Sequence, residues 1–132
     1  MRVLLDSNVW LAILTTDGFC RGVWRHARRA CHFYGSQDIV SEIHEKLRAK
    51  FGFSRRHTHL MTLFVAQQTE LVEVTSVVKA CADPNDDRIL AAALDAECSL
   101  LVTGDADLLA LKKFQGIDIL TPRQFSESIR AK

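Results

Sequence analysis

The chain opens on a short apolar run, RVLL at residues 2–5, that ends on Asp6. Over residues 8–14 the apolar positions Val9, Ala12 and Ile13 move to helical spacing, so a strand runs into a helix. Residues 20–31 place Val23, Ala27 and Ala30 on one face and Arg21, Arg25, Arg28 and Arg29 elsewhere. That is the pattern of a basic amphipathic helix, which Gly35 and Ser36 break. A short strand over 38–40 and a helix over 41–51 follow, the helix carrying Ile43, Leu47 and Phe51 in register behind Ser41 as its cap. The next helix, over 55–68, turns Leu60, Leu63 and Phe64 inward.

ELVEV at 70–74 partly alternates, as a strand does, and Val77, Val78 and Ala80 lead as strand or loop into the segment 82–98. There Asp83 fits an N-cap, Pro84 the first helical position, and Asp86 and Asp87 the first turn, where the helix dipole favours negative charge. Ile89, Leu90, Ala93 and Leu94 form the buried stripe. SLLVT at 99–103 is a nearly all-apolar strand of the kind found inside a parallel sheet. Gly104-Asp105, a short helix through Leu111, a last strand at 117–120 and a helix opened by Pro122 complete the chain. Alternating strands and helices predict an α/β fold of three layers, a central parallel sheet flanked by helices. With no repeat or linker, residues 1–132 read as one domain.

Composition agrees. A chain of 132 residues, 48% hydrophobic and 25% charged, makes a soluble core without a disulfide or zinc staple. Cys20, Cys31, Cys81 and Cys98 show no Cys-x-x-Cys spacing and read as reduced, packed thiols. No run is long enough to span a bilayer or to form a signal-peptide core, so a cytoplasmic protein without a membrane partner is expected. The five histidines are scattered rather than paired, and Trp10 and Trp24 read as core residues.

The net charge of +1 hides an asymmetry. Residues 21–59 hold nine Lys/Arg against three Asp/Glu, a balance of +6, and the remainder holds eight against thirteen, a balance of −5. The acids in the remainder have a pattern. Parallel α/β sheets bind ligands outside the carboxyl ends of their strands. Asp6 follows RVLL, Asp105 follows SLLVTG, Asp87 lies in the first turn of its helix, and Glu42 comes just after the 38–40 run. Each has a plainer reading: Asp86 and Asp87 can complement a dipole, Asp105 can cap a helix, and Glu42 can sit on a solvated face. Four carboxylates converging on one edge would repel one another unless a cation held them. Oxygen-only ligands favour Mg²⁺ or Mn²⁺ over Zn²⁺, and such an ion suits water attack on a phosphodiester.

RVLLDSNVW, SEIHEKL, DPNDDRILAAAL and LLVTGDADLL resemble, in order and spacing, the four acidic motifs of PIN-domain ribonucleases, and are most similar to the VapC-like toxins of bacterial toxin–antitoxin systems. The closing ILTPRQF is similar as well. The resemblance implies a small α/β nuclease that cuts RNA with Mg²⁺ or Mn²⁺. It makes Asp6, Glu42, Asp87 and Asp105 the catalytic metal ligands. Asp107 becomes an auxiliary ligand, Asn8 a hydrogen-bonding neighbour of Asp6, and Thr103 a further donor. Asp86 competes with Asp87, and Glu45 competes with Glu42, since residues three apart share a helical face. Ser7 stands where the family often has Thr, and the hydroxyl is kept.

Under this resemblance Arg21, Arg25, Arg28, Arg29, Arg48, Lys50, Arg55 and Arg56 would track RNA phosphates, or would instead meet acids of a partner protein. The function implied is a metal-dependent endoribonuclease, the toxin of a type II pair, partnered by a small antitoxin, with a homodimer as a further expectation. Two other readings compete. One is a non-catalytic PIN-fold protein that binds RNA or a partner. The other is a Mg²⁺-binding receiver-like signalling domain, which wants an acidic pair after the first strand and a Lys late in the sheet; here Asp6 stands alone and Leu120 is followed by Thr121-Pro122.

Overall fold

The structure, a computed structural model, describes residues 1–131. Six strands, β1 (Arg2–Leu5), β2 (His32–Gly35), β3 (Glu70–Leu71), β4 (Leu100–Val102), β5 (Lys113–Phe114) and β6 (Ile117–Leu120), form one sheet in the order β3-β2-β1-β4-β6-β5. The buried apolar strands β1 and β4 sit at its centre, in register from Val3↔Leu100 to Leu5↔Val102. All pairs are parallel except β5 on β6, a short return through Gln115 and Gly116, both at positive φ. From β1 the chain builds the sheet outward through β2 to β3, then starts again on the other side with β4. The crevice between the carboxyl ends of β1 and β4 is therefore the switch point at which such sheets bind ligands. A receiver domain has the order 2-1-3-4-5, so the topology does not support that reading.

Helices α1 (Ser7–Thr15), α2 (Phe19–Ala27), α3 (Gln37–Ala49), α4 (Arg55–Gln68), α5 (Pro84–Asp95), α6 (Ala106–Leu111) and α7 (Pro122–Arg130) flank the sheet in a three-layer α/β fold. Two side chains predicted as caps do cap: Asp83 accepts from Asn85 N at 2.9 Å with Pro84 behind it, and Asp105 accepts from Asp107 N at 3.3 Å. Trp10 is fully buried and Trp24 nearly so; their rings lie 6.3 Å apart, and Phe33 and Phe64 pack on them. Cys20, Cys81 and Cys98 are free thiols, and no described helix is long and apolar enough to cross a membrane.

The structure corrects five local expectations. The second strand is His32–Gly35, not 38–40, and α2 ends at Ala27 rather than Cys31. The aromatic pair Phe33-Tyr34 favours a pleated surface and lies beside β1, with Val3↔Phe33 and Leu4↔Tyr34 in register. Gly35 belongs to that strand: a Cβ there would come within 3.3 Å of Leu71 Cδ2, so its bareness lets β2 and β3 close up. Ser36, not Ser41, caps α3 by accepting from Ile39 N, which puts Asp38 in the first helical turn. On α4 the inward face is Thr58, Thr62 and Val65, while Leu60 and Leu63 are exposed. Finally, the strand expected at 70–74 shrinks to two residues, and residues 72–83 cross to α5 without regular structure.

Candidate active site

Four side chains meet where β1 and β4 end. Asp6 is the N-cap of α1 and accepts from Ser7 N at 2.7 Å. Its other oxygen accepts from Thr103 Oγ1 at 2.8 Å and from Asn8 Nδ2 at 3.2 Å. Thr103 in turn accepts from Asp105 N at 3.0 Å, and Asn8 accepts from Gly104 N at 3.0 Å. One network thus locks the end of β1 to the turn after β4, with Asp6 only 3% exposed. Burial pushes the Asp6 carboxyl above the ordinary carboxylate range; Glu42 and Asp105 add to the rise, and the Thr103 and Ser7 donors oppose it.

Beside this network, oxygens of Asp86, Asp105 and Asp107 all lie within 4.8 Å of one another, the one such group of three or more candidate ligands among the described residues. Burial first, then the charge and hydrogen bonding of Asp105, push Asp86 up to about 6. A carboxyl raised by neighbouring carboxyls is a group that a cation would relieve. Ligand oxygens around an octahedral ion at about 2.1 Å stand about 3–4 Å apart, so these three acids fit a hard divalent cation. No histidine or cysteine belongs to the group. Burial and the adjacent Asp87 push the Cys81 thiol up to about 11, so it stays protonated at neutral pH.

The structure does not bring Asp87 into this group. Its carboxylate accepts from Ala80 N at 2.9 Å and Cys81 N at 2.8 Å, bonds that hold its pKa below the usual value. Adjacent residues on a helix point about 100° apart, so Asp86 faces the cluster while Asp87 faces the 72–83 crossover. Glu42 is half-buried, close enough to raise Asp6 and paired with Lys46 at 3.0 Å; Glu45 is exposed. Both line a cleft between α3 and α5.

A family model described as PIN domain matches residues 2–107. The chain belongs to the PIN-domain family. The match spans all four acidic segments named above. Among solved structures, this PIN domain is similar to PAE2754 of Pyrobaculum aerophilum, at 18% identity and a TM-score of 0.68 over 100% of this chain and 91% of that one. It is similar to VapBC2 of Rickettsia felis, solved bound to a DNA fragment from its promoter, at 10% identity and 0.68 over 92% and 98%. It also resembles Mycobacterium tuberculosis VapC20, a sarcin–ricin loop cleaving toxin, at 11% identity and 0.62 over 88% and 98%. At such identities the likeness is one of fold. No curated protein matches the chain.

The basic residues divide. Arg21 donates to the carbonyls of Ile13 at 2.8 Å and Leu14 at 3.2 Å, closing the end of α1. Arg48 donates to Phe53 O at 2.9 Å, and Lys50 sits over the Phe51 ring. Arg28 lies over Trp24, and with Arg25 and Arg29 it lines a cavity where α2 leads into β2. That is the amino edge of the sheet, opposite the acids. Arg55 and Arg56 are exposed in the first turn of α4. Sequence reasoning passed over Asp38 and Arg88, whose side chains join α3 to α5 at 2.5 Å; the only signal was an Arg two residues after Asp86.

Proposed function

We propose that this PIN-domain chain is a metal-dependent endoribonuclease, and that Asp86, Asp105 and Asp107 hold Mg²⁺ or Mn²⁺ with Asp6 and Glu42 beside them. The observation that carries this reading is the acid group at the β1–β4 switch point, with one carboxyl raised by burial and then by its neighbours. A divalent ion there would supply the Lewis acidity for hydrolysing a phosphodiester. The chain's part is to position the acids. Thr103 and Asn8 fix the orientation of Asp6, Thr103 fixes the backbone of Asp105, and the N–H groups at the start of α6 fix the Asp105 carboxylate.

Titrating Mn²⁺ into the protein tests metal binding without any substrate. At about 100 times the dissociation constant the ion should add about 2.7 kcal/mol and raise the melting temperature by about 5–10 °C, and Asp86→Asn should lose the rise. No shift with either ion would overturn the reading. Thr103→Val removes the Asp6 donor at constant shape, and should lower cleavage by about 10–100-fold while Thr103→Ser stays near wild type. An unchanged rate for the valine variant would remove Thr103 from the site.

The same proposal extends to biology. The VapC-like fold, an RNA substrate in the cytoplasm and a small cognate antitoxin together make a type II toxin, one domain acting as a monomer or homodimer. The presence of every family acid weighs against a non-catalytic RNA- or partner-binding role. A neighbouring reading frame for a small antitoxin, and growth arrest on expression that Asp6→Asn relieves, are the expected supports.

A further inference from the structure

We infer that the cleft between α3 and α5 is a nucleotide subsite of the proposed nuclease, taking one unpaired base of the RNA next to the phosphodiester that is cut. The inference rests on the nuclease reading and adds to it which part of the substrate is read. The cleft encloses about 410 Å³, enough for one nucleotide, above a floor of Ile39 and Ile89. It shares Glu42 with the acidic edge, and Asn85 in its wall directly precedes Asp86.

Its lining is mixed in charge, with the acids Asp38, Glu42 and Glu45 beside two cations. Lys46 and Arg88 are the two cations that line it, and each is held by an acid, Lys46 by Glu42 at 3.0 Å and Arg88 by Asp38 at 2.5 Å. The second pair leaves capacity unused. Arg88 Nε donates to Asp38 Oδ2 at 2.6 Å and Nη2 pairs with the same oxygen, so among the described residues Asp38 Oδ1 and Arg88 Nη1 carry no hydrogen bond. The pair thus keeps an acceptor and a donor for a ligand, the two kinds of group that the edge of a base pairs with. Both side chains remain about half exposed, 58% for Arg88 and 48% for Asp38, so an incoming base meets them without unfolding anything. A base stacked inside a duplex could not enter a concave cleft of this size, so the nucleotide read here is unpaired.

A pool of fluorescein-labelled 12-nucleotide RNAs with randomised centres, cut in Mn²⁺ and sequenced at the new ends, tests this. Wild type should show a base preference at one position beside the cut. Asp38→Asn and Arg88→Lys should flatten it, Arg88→Lys with KM changed less than about threefold, because it keeps the charge and loses the planar donors. Lys46→Ala and Arg88→Ala should raise KM by about 5–20-fold with kcat changed less. The same pool should bind more weakly to Asp6→Asn protein when either cation is also removed. Cleavage with an unaltered base profile and KM in these variants overturns the subsite and leaves the nuclease standing. A wild-type protein that cuts no RNA overturns both.

Discussion

Asp86→Asn is expected to leave no measurable RNA cleavage, a loss of more than about 10³-fold, while Asp87→Asn keeps it within about tenfold. The two residues are neighbours in sequence, but only Asp86 shares the acid group; Asp87 is committed to the backbone of Ala80 and Cys81. The same variant should stabilise the metal-free fold. Burial and Asp105 raise Asp86 from 3.8 to about 6. The folded state therefore binds more protons than the unfolded one between those values, and metal-free stability declines as pH rises through that window. The full shift corresponds to about 3 kcal/mol, and solvent access to an open site brings the expectation down to about 1–2 kcal/mol. Thermal unfolding of both proteins at pH 4 and pH 7, with and without Mn²⁺, measures it. The variant should melt above wild type at pH 7 without metal and gain nothing from Mn²⁺. A variant that still cuts RNA would move the ligand role elsewhere.

Trp10→Ala should cost about 3–5 kcal/mol, a large part of the about 5–15 kcal/mol that holds such a domain together. Trp10 is completely buried where α1, α2 and β2 meet, with Trp24 at 6.3 Å and Phe33 at 6.4 Å. Trp10→Phe should cost less than about 1.5 kcal/mol. The smaller ring gives up some contact, but it also removes an indole N–H that has no hydrogen-bond partner among the described residues, a burden of about 1–3 kcal/mol. Urea midpoints at constant slope report both differences. An alanine variant with an unchanged midpoint would contradict the packing around α1.

The elements that hold the site were legible from residue pattern wherever burial and local chemistry agree. Val3–Leu5 and Leu100–Val102 are apolar throughout because the central strands are covered on both faces, and Asp83-Pro84 marks the start of α5 through a cap and a missing donor. Where two local signals compete, the pattern misleads. Ser36 and Ser41 are both plausible caps, and only pairing with β1 makes HFYG a strand and leaves Ser36 to start α3. On α4 the threonines face inward and two leucines outward: Thr62 donates its hydroxyl to the Thr58 and His59 carbonyls, while the buried Thr58 hydroxyl has no partner among the described residues. Asp86 and Asp87 are chemically identical, and helix phase relative to the sheet turns the first toward Asp105 and Asp107 and the second toward the crossover. The Asp38–Arg88 pair lies fifty residues apart in sequence, and no periodicity reaches that far.

The 72–83 crossover is tied along α5 at both ends. Asp87 holds the N–H groups of Ala80 and Cys81, and eight residues on, Asp95 holds those of Thr75 and Ser76 together with the Ser76 hydroxyl. The helix rises about 12 Å between the two carboxylates, so the crossover runs beside it and has no free length in which to hinge. α3 is fastened differently: among the described residues its one side-chain hydrogen-bonded link to α5 is the exposed Asp38–Arg88 pair, a contact of about 0–1 kcal/mol. α3 is itself seated on α1 and α4 through buried Ile39, Ile43 and Leu47, so each wall of the cleft is held from behind and the pair spans only its exposed side.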